Sequence, residues 1–228
     1  MTGSVSYRLA PFGEACGDLS AELGRLHGEL LSHSPVALLG PEFLCRFYYR
    51  TLPQLGLIFG QVAFIDNRPA GFIVATHDSA GFMRTAIRKH FLRIGLVLGV
   101  SVLRNPRRIA AIWEGLQIMR GLPPPPAGQA QGEILSMGVL PEFRSREFCA
   151  RTRLRIGQDL LAAVLDQIGA RGVGEVRVIV DADNLEARLF YSGQGWVPGL
   201  SRVPGWRKET VEFLWQRTVP SHAGPGAR

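Results

Sequence analysis

The segment 133–180 constrains the fold more than any other stretch of the chain. An apolar run, EILSMGVL at 133–140, leads to a helix-period segment at 157–170 and then to a second apolar run, EVRVIV at 175–180. Leu161, Val164, Leu165 and Ile168 fall on one helical stripe, and Gly172 stops that helix before the next run. Strand, helix and strand in this order imply a crossover between parallel strands. The chain therefore needs a sheet with at least one parallel pair and a helix lying on its face.

The flanking segments extend that sheet. Val5, Tyr7 and Leu9 alternate as in a short strand, which Pro11 and Gly13 end. A helix with Leu19, Leu23, Leu26 and Leu30 on one stripe follows, with Asp18 or Ser20 as its cap, and Gly40 with Pro41 opens a second helix through Phe43, Leu44 and Phe47. The apolar runs 57–65 and 71–76 are joined by Asp66, Asn67, Arg68 and Pro69, which predicts a hairpin. After the crossover, Asn184 starts a helix through Ala187, Leu189, Phe190 and Tyr191 that ends at 193–195, and 210–215 supplies a last strand. The 133–140 strand is interrupted near Gly138, where a glycine marks a bulge or a close approach by another group.

A chain of 228 residues with 46% apolar and 20% charged content carries enough apolar surface for one core and lies far from the composition of disordered proteins. The expectation is a single α/β (α+β) domain over 1–217, a mixed central sheet flanked by helices, with a disordered tail at 218–228.

The net charge of +7 is concentrated in one place. Residues 84–120 hold eight Lys or Arg and one acid, Glu114, mixed with Ile87, Phe91, Leu92, Leu96, Ile109 and Trp113. That is the pattern of a basic amphipathic helix pair, packed on one face and solvated on the other. The stretch LPPPPAGQAQG closes it, since four consecutive prolines forbid helix and strand ladder alike. Residues 77–132 thus form a basic helical insertion before the 133–140 strand. A peripheral membrane surface or an acidic carrier protein is an open partner for 84–120, whereas a nucleic acid is not expected.

Cys16, Cys45 and Cys149 are an odd, widely spaced set, and the five histidines show no HxH or HExxH grouping, so neither a disulfide framework nor a metal site is expected. The N-terminal residues lack a basic start followed by an apolar run, and a cytoplasmic location is expected. With only Lys89 and Lys208 there is no GxxxxGK[ST] loop, and no GxSxG elbow is present.

One junction carries chemistry. RTRLRIGQDLL at 151–161 places a loop and a glycine at the start of a helix that follows a strand, so unpaired amides and the positive end of the helix dipole converge there, as suits a phosphate. Arg144, Arg146, Arg151, Arg153 and Arg155 add positive charge to the same region.

EILSMGVLPEFR, RLRIGQDLL and NLEARLFYSGQGW, in that order and spacing, resemble the successive central motifs of the GNAT N-acetyltransferase superfamily. The likeness covers about a third of the chain closely, and the earlier element order is similar apart from the inserted helices. The family loop has Q or R, two residues, G, one residue, then G or A. Here Thr152 stands at the leading position and Arg155 replaces the first glycine, ahead of Gly157.

The resemblance implies a GNAT-like fold and direct transfer of an acetyl group from acetyl-CoA (coenzyme A) to an amine, with the acceptor a small molecule or peptide. It implies that Met137, Gly138 and Val139 and the backbone around Arg151, Arg153, Leu154, Arg155, Ile156, Gly157 and Gln158 hold the cofactor. Asn184 would cap its helix and contact the pantetheine arm. An amide of Gly138 or Val139 would meet charge developing on the acyl oxygen, Glu133 would be the general base, and Tyr191 would protonate the departing thiolate. Two alternatives share these residues: a GNAT-like binding module for an anionic partner, weakened in turnover by Arg155, and an acyltransferase taking long acyl groups from a carrier protein.

Overall fold

The computed structural model describes residues 5–12, 19–79, 81–106, 109–110, 113, 131–199 and 209–217. Among the described residues seven strands form one sheet: β1 (Tyr7–Phe12), β2 (Phe59–Ile65), β3 (Arg68–Thr76), β4 (Gln131–Val139), β5 (Glu175–Asp181), β6 (Val197–Pro198) and β7 (Thr210–Gln216). Their order is β1-β2-β3-β4-β5-β7-β6, and within it only β4 and β5 run parallel. The β2–β3 hairpin turns on Asp66 and Asn67, with φ of 48° and 64°. Short polar side chains tolerate that left-handed backbone, which matches the twist of the paired strands.

Both faces of the sheet are covered. Along β2 and β3, Ala63, Ile65, Ile73 and Ala75 face one core while Val62, Phe64, Phe72 and Val74 face the other, as the two-residue period of a strand dictates. The crossover helix Ile156–Ala170 fills the first core with Ile156, Leu160, Leu161, Val164 and Ile168. The second core is closed by α1 (Ser20–Leu30), a π-helical turn (Phe43–Tyr48) and α2 (Phe82–Arg104). α1 begins at Ser20 with Leu19 at the cap position and no side-chain cap, so Ser20 is the first helical residue instead of the expected cap.

α2 bends at His90, whose φ and ψ are −132° and 29°. Its inner face carries buried Ala86 and Val97, and Ser101 Oγ donates to the Leu39 carbonyl at 2.6 Å. Arg104 at its end forms an ion pair with Glu42. Most of the expected second basic helix, the four prolines and the tail 218–228 lie outside the described residues.

The crossover emerges as expected, through α3 (Arg146–Thr152), α4 (Ile156–Ala170) and then β5. The bulge does not fall at Gly138. The β3–β4 register shifts between Val74 and Ala75, which face Ser136 and Ile134, so the extra residue is Leu135. Gly138 instead marks the other expected feature, a close approach: a Cβ there would meet Leu30 Cδ1 at 2.9 Å, so its bare Cα lets the end of α1 approach the strand.

Candidate active site

β4 and β5 pair only from Gln131↔Glu175 to Ile134↔Val178. The next residue of β4 is the bulged Leu135. A bulge bends and twists its strand, and here it coincides with the point where the two strands part. Beyond it, β5 continues through Ile179, Val180 and Asp181 paired with β7 alone. A wedge opens between neighbouring strands of one sheet.

The backbone of β4 in that wedge is assigned by alternation. The Leu140 amide donates to the Ala70 carbonyl at 2.8 Å. In an antiparallel pair the bonding residues alternate, so the polar groups of Gly138 face Phe72 on β3, and those of Met137 and Val139 face the opening. Of the two amides named from sequence, Val139 is the one turned to the wedge.

A cleft of about 960 Å³ occupies this opening. Met137, Gly138 and Val139 form one wall, the start of α4 (Ile156, Gly157, Gln158) with Arg153 and Arg155 another, and Asn184, Glu186, Ala187 and Phe190 of the helix α5 (Leu185–Gly193) a third. Leu30 and Leu31 at the end of α1 close it from the opposite face of the sheet, and Phe143, Arg144, Arg146, Cys149 and Ala150 border its mouth.

The start of α4 presents unpaired amides to the cleft. The first amides of a helix have no intrahelical acceptor. At this one, the Gln158 and Asp159 amides return to the Arg155 carbonyl at 2.9 and 3.0 Å, leaving those of Ile156 and Gly157 at the cleft. Arg155 sits at the cap with φ −126° and ψ 64°, and because φ is negative the position does not demand the glycine that is missing here. Its side chain is exposed, and Ile156, Gly157 and Gln158 line the cleft beside it. Arg153 ends α3 in the left-handed region, φ 61°, and turns the chain into this loop. A Cβ on Gly157 would make ordinary contact with Phe190 Cε2 on α5 at 3.4 Å. Tyr7 Oη donates to Asp159 at 2.9 Å and ties the first turn of α4 to the edge strand β1.

Arg144 and Glu186 form an ion pair across the mouth. Their side chains are 46% and 70% exposed, and pairs so exposed are worth at most about 1 kcal/mol, so an arriving phosphate can take the guanidinium at little cost.

Four residues expected at the site do not line the cleft. Arg151 is exposed and lies over the Phe148 ring, 5.9 Å from its centroid. Leu154 packs against the α4-side core. Tyr191 is 4% exposed, in edge contact with Phe190 and Trp196 at 5.2 Å. Burial raises its phenol well above the ordinary tyrosine value and keeps it protonated. Glu133 lies on the paired part of β4, where Arg177 Nε and Nη2 reach its Oε2 at 3.0 and 2.9 Å and Ser79 Oγ donates to the same oxygen at 2.5 Å. Asn184 does cap α5, its Oδ1 accepting from the Ala187 amide at 3.0 Å while the residue lines the cleft. Leu30, Leu31 and Phe190 were not anticipated as walls, because no local pattern marks a leucine at a helix end as facing a site formed by distant strands.

The sheet thus combines a bulged β4, a parallel β5 that splits from it, and a helix start beside the gap. Among solved structures, the chain resembles a Desulfovibrio desulfuricans protein assigned to the GNAT acetyltransferases (13% identity, TM-score 0.53, covering 93% of this chain and 99% of that one). It also resembles the ribosomal-protein-S18-alanine N-acetyltransferase of Escherichia coli (11%, 0.52, 96% and 98%). Arabidopsis thaliana NAA60, solved with acetyl-CoA, is similar to the same degree (16%, 0.51, 92% and 98%). No protein-family model and no curated protein sequence matches the chain. The chain has the GNAT fold.

Proposed function

We propose that this protein is an acyl-CoA-dependent N-acyltransferase that moves an acetyl group from acetyl-CoA to an amine on a small molecule or peptide. The observation that carries the reading is the wedge beyond Ile134 and Val178, because a sheet forfeits hydrogen bonds to open there and the cleft so formed ends at free helix amides. The residues fit the donor: amides of Ile156 and Gly157 with Arg153 and Arg155 suit a diphosphate, and the wedge-facing backbone of Met137 and Val139 suits an amide-bearing arm. When bound, the donor supplies an activated thioester carbonyl.

The chain's own groups then do the rest. The Val139 amide, fixed by the strand, meets negative charge developing on the acyl oxygen without reorganising. Glu133 accepts the ammonium proton of the acceptor through water. All three of its hydrogen bonds fall on Oε2, and among the described residues no donor engages Oε1. Arg177 and Ser79 thereby hold the carboxylate in one orientation. Tyr191 lies behind Phe190 and outside the cleft, so as proton source for the departing thiolate it requires Phe190 to give way when the donor binds.

Calorimetric titration with acetyl-CoA, paired with a thiol-release assay over a panel of amines, tests the reading. Binding at micromolar levels with amine-dependent CoA release is expected. Absence of binding at millimolar acetyl-CoA contradicts the reading, and binding without release for any amine favours a module that only holds the cofactor.

A further inference from the structure

The inserted helix α2 is apolar on two faces, and among the described residues only one of them is covered. Ala86, Val97 and Ser101 are buried, with Ile94 and Leu98 partly so, against the second core. On the opposite side Leu92, Leu96 and Leu103 are 75%, 70% and 84% exposed. Gly95 and Gly99 fall on the same stripe, and a Cβ added at either would meet no atom within 4 Å. From Leu92 to Leu103 the stripe runs roughly 16 Å along the helix. Beyond α2, Ile109 and Trp113 are also 57% and 59% exposed.

The charge around this stripe has one sign. Between Asp78 and Glu114 the sequence holds Arg84, Arg88, Lys89, Arg93, Arg104, Arg107 and Arg108 and no acid, seven cations against a net charge of +7 for the whole chain. Arg84, Arg88 and Lys89 are exposed on the turns that precede Leu92, and Arg104 is paired with Glu42 from outside the segment.

We infer that the outer face of α2 docks on a lipid surface bearing anionic headgroups, with Leu92, Leu96 and Leu103 entering the headgroup boundary and Arg84, Arg88 and Lys89 meeting phosphates. Charge complementarity selects this occupant. A second copy would bring seven cations against seven. An acidic protein would use hydrogen-bonding groups along the contact, and between Lys89 and Arg104 the outer stripe offers only leucine and glycine side chains. An in-plane helix needs what is present: an apolar ridge flanked by cations. No described helix is long and apolar enough to cross a membrane.

Flotation of the full-length protein with phosphatidylcholine vesicles, with and without about 30% phosphatidylglycerol, tests this. The wild type should float with the anionic vesicles and not with the neutral ones. Partition should fall about tenfold or more both for L92Q/L96Q/L103Q and for R84Q/R88Q/K89Q. As a reading that needs no folded leucine variant, the Trp113 emission, isolated by subtracting the spectrum of Trp113→Phe, should shift to the blue on anionic vesicles. The inference is overturned by absence of flotation, by equal flotation on neutral vesicles, or by wild-type flotation of the leucine variant. It is equally overturned by light scattering that shows a dimer which the leucine substitutions dissolve.

Discussion

Glu133 and Arg177 face each other across β4 and β5 one rung before the strands part, joined by two hydrogen bonds to a single carboxylate oxygen. Their side chains are 12% and 18% exposed, and Arg177 also lies 3.6 Å from Glu212. The pair therefore sits where it holds the strands together at the apex of the wedge and, in the proposed mechanism, orients the base. The two roles separate by mutation. Arg177→Ala leaves two carboxylates uncompensated and should cost about 3 kcal/mol of stability by chemical denaturation. Glu133→Gln keeps the packing and should lower turnover by roughly 10²-fold or more, with acetyl-CoA affinity unchanged. A Glu133→Gln enzyme with wild-type turnover would rule out the base.

The two loop arginines differ in what they contribute. Arg155 has ordinary backbone and an exposed side chain at the cleft, so Arg155→Ala should weaken acetyl-CoA binding about tenfold with no change in melting temperature. Arg153 occupies the left-handed region at φ 61°. Arg153→Gly should relieve about 1 kcal/mol of backbone strain and raise the melting temperature while still weakening binding. Calorimetry and thermal melts on the two variants check the contrast.

His27 is fully buried between Tyr49 Oη at 2.7 Å and Ser34 Oγ at 2.8 Å, and burial lowers its pKa to about 4 from 6.5. A folded-state value below the unfolded one means that the unfolded chain takes up the proton first. The neutral ring's contribution is complete above pH 6.5 and is lost as pH falls from there toward 4, to a total of about 3 kcal/mol. His77, lowered to about 4 by burial and Arg171, adds to the same window. Stability curves at pH 7 and pH 5 should show the loss, and His27→Gln should flatten part of it.

Tyr191→Phe separates packing from chemistry at the third position. The ring stays in its cluster with Phe190, Trp196 and Phe213, so stability should change by less than about 1 kcal/mol. Turnover should fall roughly 10²-fold at unchanged acetyl-CoA affinity. Full activity in this variant would exclude the phenol as the proton source.

Periodicity carried much of this fold in plain view. The stripe Leu161, Val164, Ile168 and the alternation of Val176, Val178 and Val180 are local, so the crossover and its helix start could be read from neighbours in sequence. Asn184 was legible for the same reason, since an amide side chain at a helix start bonds three residues on. The wedge was open to inference only through resemblance, because strand separation depends on a bulge at Leu135, a residue with no local bulge signal. Gly138 marks a bulge or a close approach on local grounds, and only the fold decides for the second, with Leu30 more than a hundred residues away in the chain as the approaching group. The partner of Glu133 was equally hidden: Arg177 becomes its neighbour only through the β4–β5 register. Long-range register and helix ends decide these contacts, and neither leaves a periodic trace.

Backbone amide spectra of the ¹⁵N-labelled protein titrated with acetyl-CoA test the central claim most directly. The account predicts that the largest shifts fall on Ile156, Gly157 and Val139, the amides at the helix start and in the wedge. Shifts confined to other surfaces, or none at millimolar acetyl-CoA, would contradict it.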